Sequence, residues 1–225
     1  MDLVGKKTLE VMGKAKWYNP WLLSFFSDHL RGEILDVGGG IGNFTKLLRA
    51  YGKVTSIDIQ KNYYGKSKSS DTSYGFGDIE KGEYFFKNKS FDSIVCLNVL
   101  EHIKDDEQSL LNIYRLLNKG GSAVVLVPAG KLLYSQYDKL LGHFRRYNSD
   151  ELKEKAVKAG FKISEVRYLN WWAAIGWFVF LKILRRSEFP EKEVGIFDIL
   201  GKYFLWIEKY IKMPFGLSVL IILKK

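Results

Sequence analysis

Ile34-Leu35-Asp36-Val37-Gly38-Gly39-Gly40-Ile41-Gly42-Asn43-Phe44-Thr45 is the stretch whose reading decides the fold. Ile34, Leu35 and Val37 form the apolar run expected of a central parallel strand, buried on both faces. Gly38, Gly40 and Gly42 then let the backbone turn sharply and approach a ligand where a Cβ would intrude. Phe44, Leu47, Leu48 and Tyr51 recur at helical spacing, so the turn is expected to open a helix. The dinucleotide fingerprint G-x-G-x-x-G does not fit. Counting from Gly38 and Gly40 its third position is Asn43, and counting from Gly40 and Gly42 it is Thr45.

The pattern that does fit is D-x-G-x-G-x-G, headed by Asp36. It resembles motif I of the class I S-adenosylmethionine (SAM) methyltransferases. That resemblance implies a doubly wound α/β fold of the Rossmann-like methyltransferase type. Its sheet has seven mostly parallel strands, with an antiparallel edge strand. The cofactor is SAM, with S-adenosylhomocysteine (SAH) as product, and the glycine turn lies under the methionine end.

Later segments reinforce the resemblance in order. Lys53-Val54-Thr55-Ser56-Ile57-Asp58-Ile59 reads as a second strand ending in an acid 22 residues after Asp36. Such folds place a ribose-binding carboxylate there, and a carboxylate accepts hydrogen bonds from both hydroxyls of a cis-diol. Tyr74-Gly75-Phe76-Gly77-Asp78-Ile79 resembles motif II, which implies that Asp78 meets the adenine amino group and Ile79 packs on the ring; a turn-forming Asp is the plain alternative. Phe91 to Asn98 is a fourth strand, continuing through Val99-Leu100-Glu101-His102-Ile103. It resembles the segment "FD-x-I-x-x-x-x-V-L-E-H" of small-molecule methyltransferases, which puts Asn98 and Val99 beside the methionine moiety and Glu101 and His102 toward the acceptor. A helix with Leu110, Leu111, Ile113, Tyr114, Leu116 and Leu117 on its apolar side stops at Asn118-Lys119-Gly120-Gly121. Ser122 to Val127 makes a fifth strand. Strand–helix alternation of this kind predicts a parallel sheet.

Tyr137-Asp138 to Gly142-His143-Phe144-Arg145-Arg146-Tyr147 resembles a signature of the type 11/12-like subgroup, linked to glycan or lipid modification. Arg145, Arg146 and Tyr147 are candidates for gripping an acceptor carboxylate or phosphate through forked donors. The alternative is that they pair with Asp138 and Asp150 to hold the loop. His102 and His143 are the candidate proton acceptors. Ser149 or Asp150 is expected to cap the next helix. Phe161 to Tyr168 and Leu217 to Leu223 supply the last two strands, and the roughly forty residues between them are too many for a hairpin loop. That insertion opens with an uncharged run, Tyr168 to Leu181, shorter than the ~20 apolar residues of a membrane span, and a second helix is expected over 194–211. The reading divides the chain into a helical lid (1–33), an α/β core (34–170), an aromatic insertion (171–213, Trp171 an acceptor-pocket candidate) and a final strand (214–225).

Composition bounds the rest. The chain of 225 residues is 47% hydrophobic with one cysteine, Cys96, which excludes an internal disulfide and suits a reducing cytoplasm. The N-terminus lacks the basic-then-apolar order of a signal peptide, so a cytoplasmic protein, at most peripheral to a membrane, is expected. Three histidines dispersed along the sequence and a single cysteine suggest no metal site. The net charge of +10 is concentrated in residues 131–225, which hold 18 Lys and Arg against 10 Asp and Glu, and would favour an anionic partner. The expected acceptor is a small-molecule, glycan or lipid-linked compound, with residues 171–211 offering a membrane contact or homodimer face. Two alternatives stay open: a non-enzymatic SAM-binding protein, and an RNA methyltransferase. The second is disfavoured because the fourth strand does not end in the N-P-P-Y type used on base amines.

Overall fold

The computed structural model describes residues 8–10, 12–13, 17–63, 72–179 and 207–225. After helix α1 (Tyr18–Leu23), strand β1 (Glu33–Val37) leads through the glycine turn to a single helical turn, α2 (Thr45–Leu48), and then to β2 (Lys53–Asp58) and β3 (Thr72–Asp78). A two-residue strand, β4 (Glu83–Tyr84), folds back antiparallel on β3. Next come β5 (Phe91–Leu97), α3 (Asp106–Leu116), β6 (Leu117–Pro128), α4 (Gln136–Leu140), α5 (Ser149–Lys158), β7 (Lys162–Leu169), α6 (Trp171–Trp177) and β8 (Ser218–Lys224). The sheet order is β4-β3-β2-β1-β5-β6-β8-β7. β1, β2, β3, β5 and β6 pair in parallel, whereas β8 is antiparallel to both β6 and β7.

The alternation of side chains along the strands builds two cores. Leu35, Ile94, Cys96, Ala123, Val125 and Ile221 face one side, where Leu110 and Ile113 of α3 and Leu152 and Ala156 of α5 cover them. Ile34, Val95, Val124, Leu126 and Ile222 face the other, against Trp21, Leu22 and Leu23 of α1, Phe26 and Leu48 of α2. Each such buried side chain contributes roughly 1.5–3 kcal/mol, which explains why the central strands read as nearly unbroken apolar runs.

The order of the strands positions the site. The chain runs outward from β1 to β3 and then crosses back, so β5 lies on the other side of β1, with Val37 beside Cys96. The carboxyl ends of β1 and β5 therefore flank the topological switch point, where open α/β sheets bind ligands.

Four local expectations are corrected. The helix after the glycine turn is one turn long, not a helix running to Tyr51. The short β4 was not foreseen, because two residues carry no periodicity. The fifth strand, placed at Ser122 to Val127, begins at Leu117 as part of β6, so α3 ends at Leu116. Helix α5 begins at Ser149, with Asn148 before it and no side-chain cap bond.

The insertion hangs from a regular stem, since Leu169 pairs with Ser218. Its two ends meet at Asn170, which adopts the left-handed conformation at φ 62°. Leu217 donates its backbone N–H to the Asn170 carbonyl (3.3 Å), and Glu208 accepts the Trp171 backbone N–H (3.0 Å). The second insertion helix expected over 194–211 falls largely outside the described residues; 207–210 are helical. No described helix is long and apolar enough to cross a membrane.

Candidate functional site

The glycine turn is held by the neighbouring strand. Gly38 (φ 69°), Gly40 (φ 53°) and Gly42 (φ 85°) all adopt the left-handed backbone region, where a side chain is strained. Gly38 and Gly39 both donate their N–H groups to the Ile57 carbonyl (2.8 and 3.2 Å), which folds the turn over the end of β2. At Gly38 a Cβ would also collide with the Val99 side chain, so the turn and the end of β5 are in contact. Gly40 donates its N–H to Asp58 Oδ2 (3.0 Å), and Gln60 donates to Oδ1 (2.8 Å). The Asp58 carboxylate thus sits against the turn at the end of β2. Burial pushes its pKa up, and the backbone donors oppose this. Ile59 next to it is 63% exposed.

Asp36 lies beneath the turn, not on its surface. It is buried and accepts the Thr45 hydroxyl at 2.5 Å. Burial, with a smaller contribution from the Asp58 charge, pushes its pKa up to about 7, while Thr45 pulls the other way. An acid whose pKa is raised by folding destabilises the folded state as pH climbs from its unfolded value through its folded one. Asp36→Asn is therefore expected to gain stability relative to the native, ligand-free chain between about pH 4 and 7. The difference should grow to at most about 4 kcal/mol and level off above that range. Urea denaturation at a series of pH values measures it, and a pH-independent difference would show that Asp36 is not held protonated.

The other cofactor-side candidates divide. Asn98 adopts φ 54° and donates its backbone N–H to the Leu126 carbonyl (2.8 Å), so the chain leaves β5 sharply and brings Val99 to Gly38. Asp78 accepts the Lys81 backbone N–H (3.0 Å) and pairs with its ammonium at 3.7 Å. The turn-forming role is therefore the one the geometry displays. Ile79 corrects the expectation of a ring-packing side chain: it is buried in the core with Ile57, and Asn112 holds its carbonyl at 2.8 Å. The exposed neighbour is Ile59.

On the acceptor side the loop between α4 and α5 is organised by Asp138, which is fully buried. It accepts bonds from the Ser135 N–H and hydroxyl (2.8 and 2.9 Å), His143 Nδ1 (3.0 Å), and Arg146 Nε and Nη2 (2.8 and 3.2 Å). These donors hold its pKa down to about 2 against the effect of burial. Arg146 is buried, donates also to the Ala129 carbonyl, and lies 5.0 Å from the Trp177 ring. Tyr147 is buried and donates to Asp106 (2.8 Å), and Arg145 pairs with the same carboxylate (3.1 Å). The expectation that Arg145, Arg146 and Tyr147 reach an acceptor is thereby corrected. Their polar groups are taken up inside the loop, as the loop-holding alternative required, although Arg145 uses Asp106 in place of Asp150. Among the described residues of the insertion, Trp177 reaches this cluster, whereas Trp171 sits at the start of α6 with its backbone N–H on Glu208.

Two of the three histidines come together in space. His102 and His143 meet edge to face with ring centroids 4.7 Å apart, and Glu101 lies beside them. Burial, then the His143 ring, pushes the His102 pKa down to about 4. Glu101 is 1% exposed with neither carboxylate oxygen hydrogen-bonded, and burial drives its pKa up to about 8. Among the described residues, Glu101, His102 and His143 form a group able to hold a metal ion, which corrects the expectation of no metal cluster.

A doubly wound sheet with D-x-G-x-G-x-G at its switch point and an acid ending the next strand defines a class I SAM-dependent methyltransferase domain. The family model described as a methyltransferase domain matches residues 17–166, and the chain belongs to that family. A ubiquinone biosynthesis O-methyltransferase of Rickettsia canadensis is 33% identical over 111 residues, 46% of this chain and 46% of that protein. The chain thus spans about half the length of the curated relatives it matches. Among solved structures, phosphoethanolamine N-methyltransferase 2 of Haemonchus contortus in complex with SAM superposes with a TM-score of 0.62 at 21% identity, covering 92% of this chain and 52% of that one. A SAM-dependent methyltransferase of Mesorhizobium loti gives 0.63 at 16% identity, covering 96% and 100%. At these identities the structures show the shared fold.

Proposed function

We propose that this protein transfers a methyl group from SAM to a hydroxyl oxygen of a small-molecule acceptor carried on an apolar or lipid-linked tail. The observation that carries the cofactor part is the contact of the left-handed glycine turn with Asp58 at the switch point. The residues present fit SAM. Three glycines leave the turn without side chains of its own, the Asp58 carboxylate stands against it as a charged acceptor, and Ile59 offers an uncovered apolar surface for a ring. When bound, the cofactor supplies an electrophilic methyl on a sulfonium centre.

The chain's own residues bind, orient and exclude water. Asp58 takes the ribose hydroxyls, Ile59 packs on the adenine and Asp78 receives its amino group. The turn and Asn98-Val99 shape the methionine end. Leu9 covers the turn, because its carbonyl accepts the Asn43 amide (2.9 Å) and its side chain packs over Gly40. Methyl transfer to oxygen needs alignment more than covalent help. His102, held neutral by its low pKa, is a proton acceptor of modest strength. The oxygen acceptor is favoured by the curated O-methyltransferase relatives. The apolar tail is favoured by exposed Ile175, Phe178 and Val179 at the end of α6 and Ile207, Ile211 and Phe215 before β8. The same face is proposed to contact a membrane surface or a second copy, as 171–211 was expected to.

Calorimetric titration with SAM and SAH is the first test. Binding of both in the micromolar range supports the reading, followed by transfer of a labelled methyl to phenolic acceptors. A folded protein that binds neither would refute it.

A further inference from the structure

The structure assigns a divalent transition-metal site to Glu101, His102 and His143, placed on the acceptor side of the carboxyl edge of the sheet. Glu101 and His102 lie in the helical turn Leu100–His102 just beyond β5, and His143 comes from the loop after α4. One ligand atom from each lies within 4.8 Å of the other two. Atoms about 2.0–2.2 Å from a common tetrahedral ion stand about 3.3–3.6 Å apart, so side-chain movements of up to about an ångström would complete the set.

Two observations separate this group from a chance cluster. The Glu101 carboxylate is almost wholly buried, yet neither oxygen has a hydrogen-bond partner. Buried carboxylates are normally paired, bonded or metal-bound. Arg146, whose charge acts on Glu101, is bonded to Asp138 instead. The imidazoles are also positioned. His143 has Nδ1 on the buried Asp138 carboxylate (3.0 Å), which leaves Nε2 for a ligand bond, and the His102 ring packs edge to face against it. A metal-binding histidine characteristically has its second nitrogen fixed by a carboxylate or carbonyl.

Donor chemistry selects the ion. Two imidazoles and one carboxylate suit Zn²⁺, Mn²⁺ or Fe²⁺, whereas Mg²⁺ favours an all-oxygen set. Three protein ligands leave positions open for water or for an oxygen of the acceptor. Resting on the methyl-transfer reading, the site would seat a hydroxyl-bearing acceptor through that oxygen.

The test uses the full chain, stripped with a chelator and titrated calorimetrically with ZnCl₂, MnCl₂ and MgCl₂ in the absence of SAM. Expected are binding of one Zn²⁺ per chain and much weaker binding of Mg²⁺. Glu101→Gln and His143→Ala should each lower Zn²⁺ affinity by about 100-fold or more, beyond the 10- to 100-fold typical of outer-shell losses. His29→Ala, in the histidine outside the cluster, should leave it unchanged. Where a variant fails to fold, the visible spectrum of the Co²⁺-loaded native chain decides, since inner-sphere imidazole and carboxylate ligands in a low-coordinate site shift and intensify the d–d bands relative to those of the aqueous ion. Absence of saturable Zn²⁺ binding, equal binding by the variants, or a Co²⁺ spectrum no different from that of the aqueous ion would each overturn the assignment. SAH titration is run in parallel: loss of SAH binding in the native chain counts against the methyltransferase reading and leaves the metal result standing.

Discussion

Asp58→Ala is expected to weaken SAH binding by about 100-fold or more while the protein stays folded. Hydrogen bonds to a charged group contribute roughly 1.5–3 kcal/mol each, and a carboxylate facing a cis-diol makes two. Asp58 also holds the Gly40 and Gln60 backbone N–H groups, so part of the loss would come from a loosened turn. Asp58→Asn separates the two contributions, because an amide oxygen still accepts from Gly40 but cannot offer charge to both hydroxyls. The asparagine variant should give up only the Gln60 bond, at a cost of about 1 kcal/mol, and still lose most of the affinity. Since burial raises the Asp58 pKa, native binding should begin to weaken on acidification above the range usual for a carboxylate. Unchanged SAH affinity in Asp58→Ala would remove the ribose assignment.

What the sequence discloses about this protein follows from how local each feature is. The glycine turn, the central strands and Asp58 were legible because each is written in contiguous residues or in one strand–helix–strand unit of standard length. Ile59 and Ile79 show where legibility stops. Both follow an acid at a strand end, yet one is exposed and the other is buried beneath α3, because Asn112 draws the chain after β3 onto that helix. The brevity of α2 was hidden as well, since apolar spacing through Tyr51 mimics a longer helix. The acceptor side was read least well. Arg145-Arg146-Tyr147 lies in a segment without regular secondary structure, so no period tells which side chains point inward. The partners that turn them in, Asp106 and Asp138, stand 8 to 41 residues away. Glu101 and His143 are brought together only by the fold, and no spacing rule in the sequence joins them.

That hidden cluster carries the largest expected effect on stability. Asp138→Ala should cost roughly 3–5 kcal/mol, because it leaves the guanidinium of Arg146 buried without its carboxylate. Arg146 is 3% exposed and Asp138 fully buried, so water cannot replace the lost partner. Arg146→Lys should also be destabilising, since an ammonium cannot reproduce the two-point contact with Asp138 and the Ala129 bond together. Removing both charges at once, as in Asp138→Leu with Arg146→Met, should recover most of the loss, because no unpaired ion then remains. The double variant also deprives His143 of its orienting carboxylate. It should therefore fold well while binding Zn²⁺ about 10- to 100-fold more weakly. Chemical denaturation and metal titration on the same three proteins read the two roles separately. An Asp138→Ala variant as stable as the native chain would mean that the pair does not hold this loop, and a double variant with native Zn²⁺ affinity would mean that His143 needs no carboxylate to serve as a ligand.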